Sequence, residues 1–191
     1  MEKQFLSASE ALEKLKKGNR DYIGAASSSG DISPEIRRRT FEEGQSPYAV
    51  IVTCSDSRVI PESIFTAGIG ELFVIRVAGN VIDRHQLGSI EYAADHLGSR
   101  LVVVLGHSRC GAVGAALSGD PDGYIKFITD EIRKAIAGEK DEFRASCLNV
   151  QRSVSVIREK LNLSQENEET GLKVCGAMYH IDTGQVEFLE E

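Results

Sequence analysis

The sequence predicts an α/β domain with a mostly parallel central sheet flanked by helices, entered through an N-terminal helical arm and left through a C-terminal hairpin. Three observations carry this. Short apolar runs rich in valine and isoleucine, YAVIVT, ELFVIRVA and RLVVVLG, read as strands buried on both faces, the pattern of a parallel sheet. Helical periodicity lies between and after them, and alternation of strand with helix builds parallel sheets. Two capped helices precede the first strand.

Ser7 and Glu10 form a capping box ahead of ALEKLKKGNRDYI, an amphipathic helix expected to end near Asp21. AASSSGD then reads as a loop. Ser33 as N-cap, Pro34 at the first helical position and Gly44 after the last turn bracket the helix PEIRRRTFEE. Between the second and third strands, DRHQLGSIEYAADHLG has helical spacing, and Gly98 suits a C-terminal cap. YIKFITDEIRKAIAG and DEFRASCLNVQRSVSVIREKL read as two more helices. The strand LKVCGAMYHI turns through Asp182, Thr183 and Gly184 into QVEFLEE, a terminal hairpin.

The chain has 191 residues, 41% hydrophobic and 27% charged, which suits a single domain over 1–191 with a real core. Its net charge of -7 argues against a nucleic-acid footprint, which needs a clustered basic surface. No apolar stretch reaches the roughly 20 residues of a membrane span. The N-terminus mixes charge through every turn, unlike a signal peptide, so the expected location is cytoplasmic. Four cysteines in such a chain are expected to be reduced, which turns attention to metal binding and catalysis. Cys147 and Cys175 have no partner at ligand spacing and read as buried structural thiols.

Cys54 and Cys110 stand apart. TCSDSRV ends the first strand and GHSRCGA ends the third, and ligands of open parallel sheets bind outside the carboxyl ends of strands. Cys54, His107 and Cys110 together offer two thiolates and an imidazole, a soft set that suits tetrahedral zinc with one position left for water. Iron is disfavoured, because no further cysteines complete a cluster motif. Arg58, two residues beyond Asp56, can hold that carboxylate ionised by paired hydrogen bonds. Asp56 then has two possible roles: to orient a metal-bound water, or to bind the metal itself and close the site.

The pair C-S-D-S-R and H-S-x-C-G-A resembles the β-class carbonic anhydrases, and the likeness runs from GQSPYAVIVTCSDSRV through GELFVIRVAGNV, GSIEYAADHLG and VVVLGHSRCGA to KVCGAMYHIDTGQVEFL. The resemblance implies Cys54, His107 and Cys110 as ligands of one Zn2+ per subunit, with Asp56 and Arg58 as the dyad controlling the fourth position. It implies reversible hydration of carbon dioxide to bicarbonate and a proton through zinc-bound hydroxide. It also implies a homodimer or homotetramer with the active site at the subunit interface, and residues 1–44 as an arm packing on a partner. Gln45 matches the glutamine that reaches the partner's site in the plant-like subgroup, while Phe73, Ala78 and Tyr92 match positions lining the carbon dioxide pocket. The chain departs from the family in carrying Val77 where many members have asparagine. The bicarbonate-inhibited subgroup has a tryptophan three residues before the first cysteine; Ile51 stands there and the chain has no tryptophan, so an open site is expected.

Three other functions compete. The same metal could hydrolyse carbon disulfide or carbonyl sulfide. A nucleophilic Cys54 would need a longer oxyanion loop before its arginine than the chain provides. A purely structural zinc module would need a fourth closed ligand and no Asp56–Arg58 pair. The glycines around GHSRCGAVG miss the order of a nucleotide-binding fingerprint. His85, His96 and His180 are proton-shuttle candidates by residue type alone.

Overall fold

The computed structural model describes residues 5–24, 30–119, 121–161 and 171–190. In chain order come α1 (Ala8–Gly24), α2 (Pro34–Glu43), β1 (Ala49–Thr53), the single turn α3 (Pro61–Ile64), β2 (Leu72–Arg76), α4 (Arg84–Glu91), β3 (Leu101–His107), α5 (Gly111–Ser118), α6 (Ile125–Ile136), α7 (Glu142–Lys160), β4 (Lys173–Tyr179) and β5 (Val186–Phe188). The loop expected after α1 falls largely on residues 25–29, outside the described residues. No helix among the described residues is long and apolar enough to cross a membrane.

The sheet order is β2-β1-β3-β4-β5, with the first four strands parallel and β5 antiparallel to β4. Every residue of β1 and β3 is buried, as two-faced strands require. Their alternation divides the core. Ala49, Ile51, Leu101, Val103 and Leu105 pack with Ala11 and Leu15 of α1 and with Ile64 and Phe65. Val50, Val52, Val102 and Val104 pack on the other side with Ile90 of α4 and with Val150, Val154 and Ile157 of α7. A third cluster, around α5 and α6, contains Cys54 and Cys110.

The sequence expectation for α1, which ends the helix near Asp21, is three residues too short. The helix continues to Gly24, and its apolar stripe docks on its own chain. Gly18 approaches so closely that a Cβ would lie 1.9 Å from the Phe65 carbonyl oxygen. The buried Asn19 side chain donates to the carbonyls of Ile64 (3.2 Å) and Gly184 (2.9 Å) and accepts from the Val186 amide (2.9 Å), tying α1 to the terminal hairpin. In α2 only Ile36 is buried, and Phe41 is 89% exposed. The caps are as expected: Ser33 Oγ accepts from the Ile36 amide at 3.2 Å, and Gly44 takes φ +79°.

Two elements differ from the sequence reading. The helix expected up to Gly98 changes at Tyr92 into a π-turn, Tyr92–His96, where one extra residue is accommodated per turn. α5 is not among the helices read from the sequence; its GAVGAALS sequence is too uniformly small to show an amphipathic stripe.

Candidate metal centre

β2 lies on one side of β1 and β3 on the other, so the chain's crossovers diverge at the β1/β3 junction. Thr53 pairs in register with Leu105, which sets Cys54, one residue past β1, beside the end of β3 where His107 sits. Cys110 follows two residues after Ser108 and forms the N-cap of α5. The result is one cluster: the ligand atoms of Cys54, His107 and Cys110 all lie within 4.8 Å of one another, and all three side chains are buried.

The histidine is oriented by its neighbour. Its Nδ1 lies 2.9 Å from the Ser108 carbonyl oxygen, which only accepts, so the proton sits on Nδ1 and Nε2 presents a lone pair. Nε2 is buried and has no hydrogen-bond partner. A buried nitrogen is costly to leave unsatisfied, and two sulfurs facing it are poor replacements for water. A metal ion satisfies all three atoms at once, and two thiolates with one imidazole match zinc's preference for a tetrahedral site with an open position.

Charge in the cluster is unevenly shared. The Cys54 thiol is driven well below its ordinary range, first by its pairing with Cys110, against the opposing effect of burial, with further help from the Gly79 and Asp56 amides. Cys110 moves the other way, upward, through the same pairing and through burial, and a bound cation would displace its proton. Burial works to lower the His107 pKa, but the Cys54 thiolate and the Ser108 carbonyl outweigh it and the net movement is upward. The Gly79 N–H donates to the Cys54 sulfur at 3.3 Å.

Asp56 and Arg58 stand at the mouth. Arg58 Nε donates to Asp56 Oδ1 at 2.9 Å and Nη2 to Oδ2 at 2.7 Å, and the Arg58 amide also donates to Oδ1 at 3.0 Å. These bonds hold the Asp56 carboxyl far below the usual range. Asp56 Oδ2 is 3.9 Å from His107 Nε2, so the carboxylate borders the cluster while remaining in Arg58's grip. Arg58 Nη2 also donates to the Arg109 carbonyl at 3.1 Å; that carbonyl is presented by a left-handed turn, φ +57°, between His107 and Cys110.

The structure divides the remaining predicted residues. Ala78 lies beside Gly79 and therefore at the metal end. Gln45 lies at the opposite end: it precedes β1, and its Cα is 3.9 Å from where a Gly70 Cβ would stand, just before β2. Phe73 sits near the start of β2, paired with Val50, and its ring is 6.1 Å from that of Tyr92, which is 47% exposed. Five-residue strands are about 16 Å long, so Gln45 is remote from its own chain's thiol cluster.

Sequence reasoning missed Arg76. Its Nε donates to the Cys54 carbonyl at 3.2 Å and its Nη2 to the Asp56 carbonyl at 2.7 Å, clamping the backbone that carries both side chains. Its position at the end of β2, paired with Thr53, was the available signal.

Comparison with known proteins gives a consistent picture. A family profile described as carbonic anhydrase matches residues 49–186. Carbonic anhydrase 2 of Mycobacterium tuberculosis is 36% identical over 188 residues, covering 92% of this chain and 89% of that protein. Among solved structures, the β-carbonic anhydrase CafA of Aspergillus fumigatus matches with a TM-score of 0.75 at 27% identity, over 95% of this chain and 90% of that one. A tetrameric β-carbonic anhydrase of Sordaria macrospora matches with a TM-score of 0.71 at 26% identity, over 82% and 92%.

Proposed function

The chain belongs to the β-class carbonic anhydrase family, and on that premise we propose that it catalyses the reversible hydration of carbon dioxide to bicarbonate and a proton with Zn2+ held by Cys54, His107 and Cys110. The observation that carries this is the buried, unpartnered His107 Nε2 facing two buried sulfurs. When bound, zinc supplies an acidified water, lowering its pKa from 15.7 to about 7 so that hydroxide is available near neutral pH.

The chain's own residues do the rest. Arg58 keeps Asp56 ionised and turned toward the guanidinium, so the carboxylate would stay off a metal held by Cys54, His107 and Cys110, which supports the open-site reading suggested by Ile51. Asp56 Oδ2 then serves as the hydrogen-bond acceptor that orients the nucleophile. Ala78 contributes to the apolar wall against which carbon dioxide rests, and the α5–α6 cluster beneath the thiols keeps water from their far side.

Gln45, Phe73 and Tyr92 act in a neighbouring subunit. They cannot serve the metal of their own chain, and in a dimer related by a two-fold axis each subunit would lend them to the other. The exposed Phe41 face of α2 supplies the arm for that contact, and the Sordaria relative is tetrameric. Thiol ligands and four free cysteines suit a reducing cytoplasm.

The test is metal content alongside activity. Cys54→Ser, His107→Asn and Cys110→Ser are expected to lose bound zinc and carbon dioxide hydration together. A zinc-loaded protein that leaves carbon dioxide untouched but hydrolyses carbonyl sulfide would replace the proposed substrate while keeping the metal.

A further inference from the structure

We propose that Asn149 and Ser153 of α7 are positioning residues that set how much charge Cys54 delivers to the metal, acting through the backbone of Gly79 and Asn80; this rests on the metal reading above. The sulfur of Cys54 accepts the Gly79 amide at 3.3 Å, the stronger of two backbone donors acting on it, the other being the Asp56 amide of its own loop. A hydrogen bond to a thiolate withdraws electron density that would otherwise go to the metal, and partners beyond the ligands themselves tune metal sites in this way. What fixes the Gly79 amide therefore matters.

The turn carrying it is closed by a single internal bond, the Asn80 amide donating to the Val77 carbonyl at 3.0 Å. Gly79 and Asn80 both lie in the left-handed region, at φ +69° and +44°, and a run of two such residues is disfavoured, most of all for the non-glycine. Glycine suits 79 because other residues are strained at φ +69°, and a Cβ would also press on Ile132 Cδ1 at 2.8 Å and the Ala112 Cβ at 3.1 Å. Two side chains of α7 secure the turn from outside. Asn149 Nδ2 donates to the Gly79 carbonyl at 2.7 Å, and Ser153 Oγ donates to the Asn80 carbonyl at 3.0 Å. Four residues apart, they lie one above the other on the same helical face. Both are almost fully buried, at 2% and 3% exposure.

These are polar residues on a helix whose neighbours Val150, Val154 and Ile157 are committed to the sheet core. The core fixes α7, α7 fixes the two consecutive carbonyls of Gly79 and Asn80, and the two pinned peptide planes fix the Gly79 Cα and so limit how far the preceding peptide, whose N–H points at sulfur, can swing. Losing either donor leaves a buried carbonyl unsatisfied, and the turn relaxes away from Cys54.

The experiment uses the full chain loaded with cobalt(II), whose thiolate-to-metal charge-transfer band reports the electron density on sulfur. Asn149→Ala and Ser153→Ala are each expected to move that band to longer wavelength and, with zinc, to lower hydration activity about tenfold. Ser153→Thr keeps the hydroxyl and is expected to leave both unchanged, which separates the hydrogen bond from packing and covers the case in which Asn149→Ala fails to fold. Ser153→Ala with an unmoved band would overturn the proposal while leaving the metal reading intact. Absence of any such band in the unmodified protein would overturn the metal reading, and the proposal with it.

Discussion

Arg58 grips Asp56 at both carboxylate oxygens, at 2.9 and 2.7 Å, while its remaining reach goes to the Arg109 carbonyl at 3.1 Å. One guanidinium thus joins the loop of Cys54 to the loop between His107 and Cys110. An isolated exposed pair contributes little to stability, but this one is two-pronged and sets the position of a shielded carboxylate beside His107.

Releasing that carboxylate should impair the enzyme. Arg58→Ala is expected to lower kcat/KM for carbon dioxide hydration by about 10- to 100-fold, the worth of a charge-assisted hydrogen bond. Arg58→Lys, a single-point donor, should fall between the two. X-ray absorption on the zinc-loaded Arg58→Ala protein should show added oxygen coordination if Asp56 moves to the metal; unchanged coordination and full activity would remove Arg58 from its role.

Arg76 should matter to the fold of the site. Its two hydrogen bonds hold the carbonyls of Cys54 and Asp56, and Arg76→Met is expected to cost about 1–2 kcal/mol in urea unfolding, with weaker zinc retention against a chelator. A variant with unchanged midpoint and unchanged metal retention would show that the clamp is dispensable.

Gly18→Ala tests the docking of α1. The obstacle to the new methyl is the Phe65 backbone, which has no rotamer to escape into, so the loss should reach about 3 kcal/mol, the upper end of overpacking. Ordinary helix propensity predicts the opposite sign, a gain of up to about 1 kcal/mol, so thermal unfolding separates the two cleanly.

Glu71 gives a pH dependence of defined sign. Burial opposes its ionisation, but the Gly68 amide at 2.7 Å and Lys14 at 2.6 Å outweigh it, and its pKa falls below the ordinary 4.5. A carboxyl depressed in the folded state stabilises above its unfolded pKa, and that contribution is lost as pH falls through the folded value. Glu71→Gln should therefore be less stable than the unmodified chain near neutrality, by no more than about 1 kcal/mol because the side chain is 37% exposed, with the gap narrowing below pH 4.5. A gap that widens on acidification would contradict this.

The readable parts of the sequence were those with local causes. β1 and β3 announce themselves through unbroken β-branched runs, α2 through Ser33, Pro34 and Gly44, and the Cys54, His107 and Cys110 cluster through soft side chains at strand ends. α5 hid behind uniformly small residues, and the π-turn at Tyr92 leaves no periodic trace. The positions of Gln45 and Phe73 at the far end of the sheet follow from strand direction, which a motif match does not encode. Arg76, Asn149 and Ser153 act across 22, 70 and 73 residues of sequence, so only the folded chain shows what they hold.

Stopped-flow carbon dioxide hydration by the zinc-loaded protein at about pH 7.5 tests the central claim most directly. The account predicts a rate far above the uncatalysed reaction, rising further into mildly alkaline pH because two thiolates leave the bound water less acidic than three imidazoles would. Activity that emerges only at alkaline pH would contradict the open site, and no activity at either pH would contradict the proposed function itself.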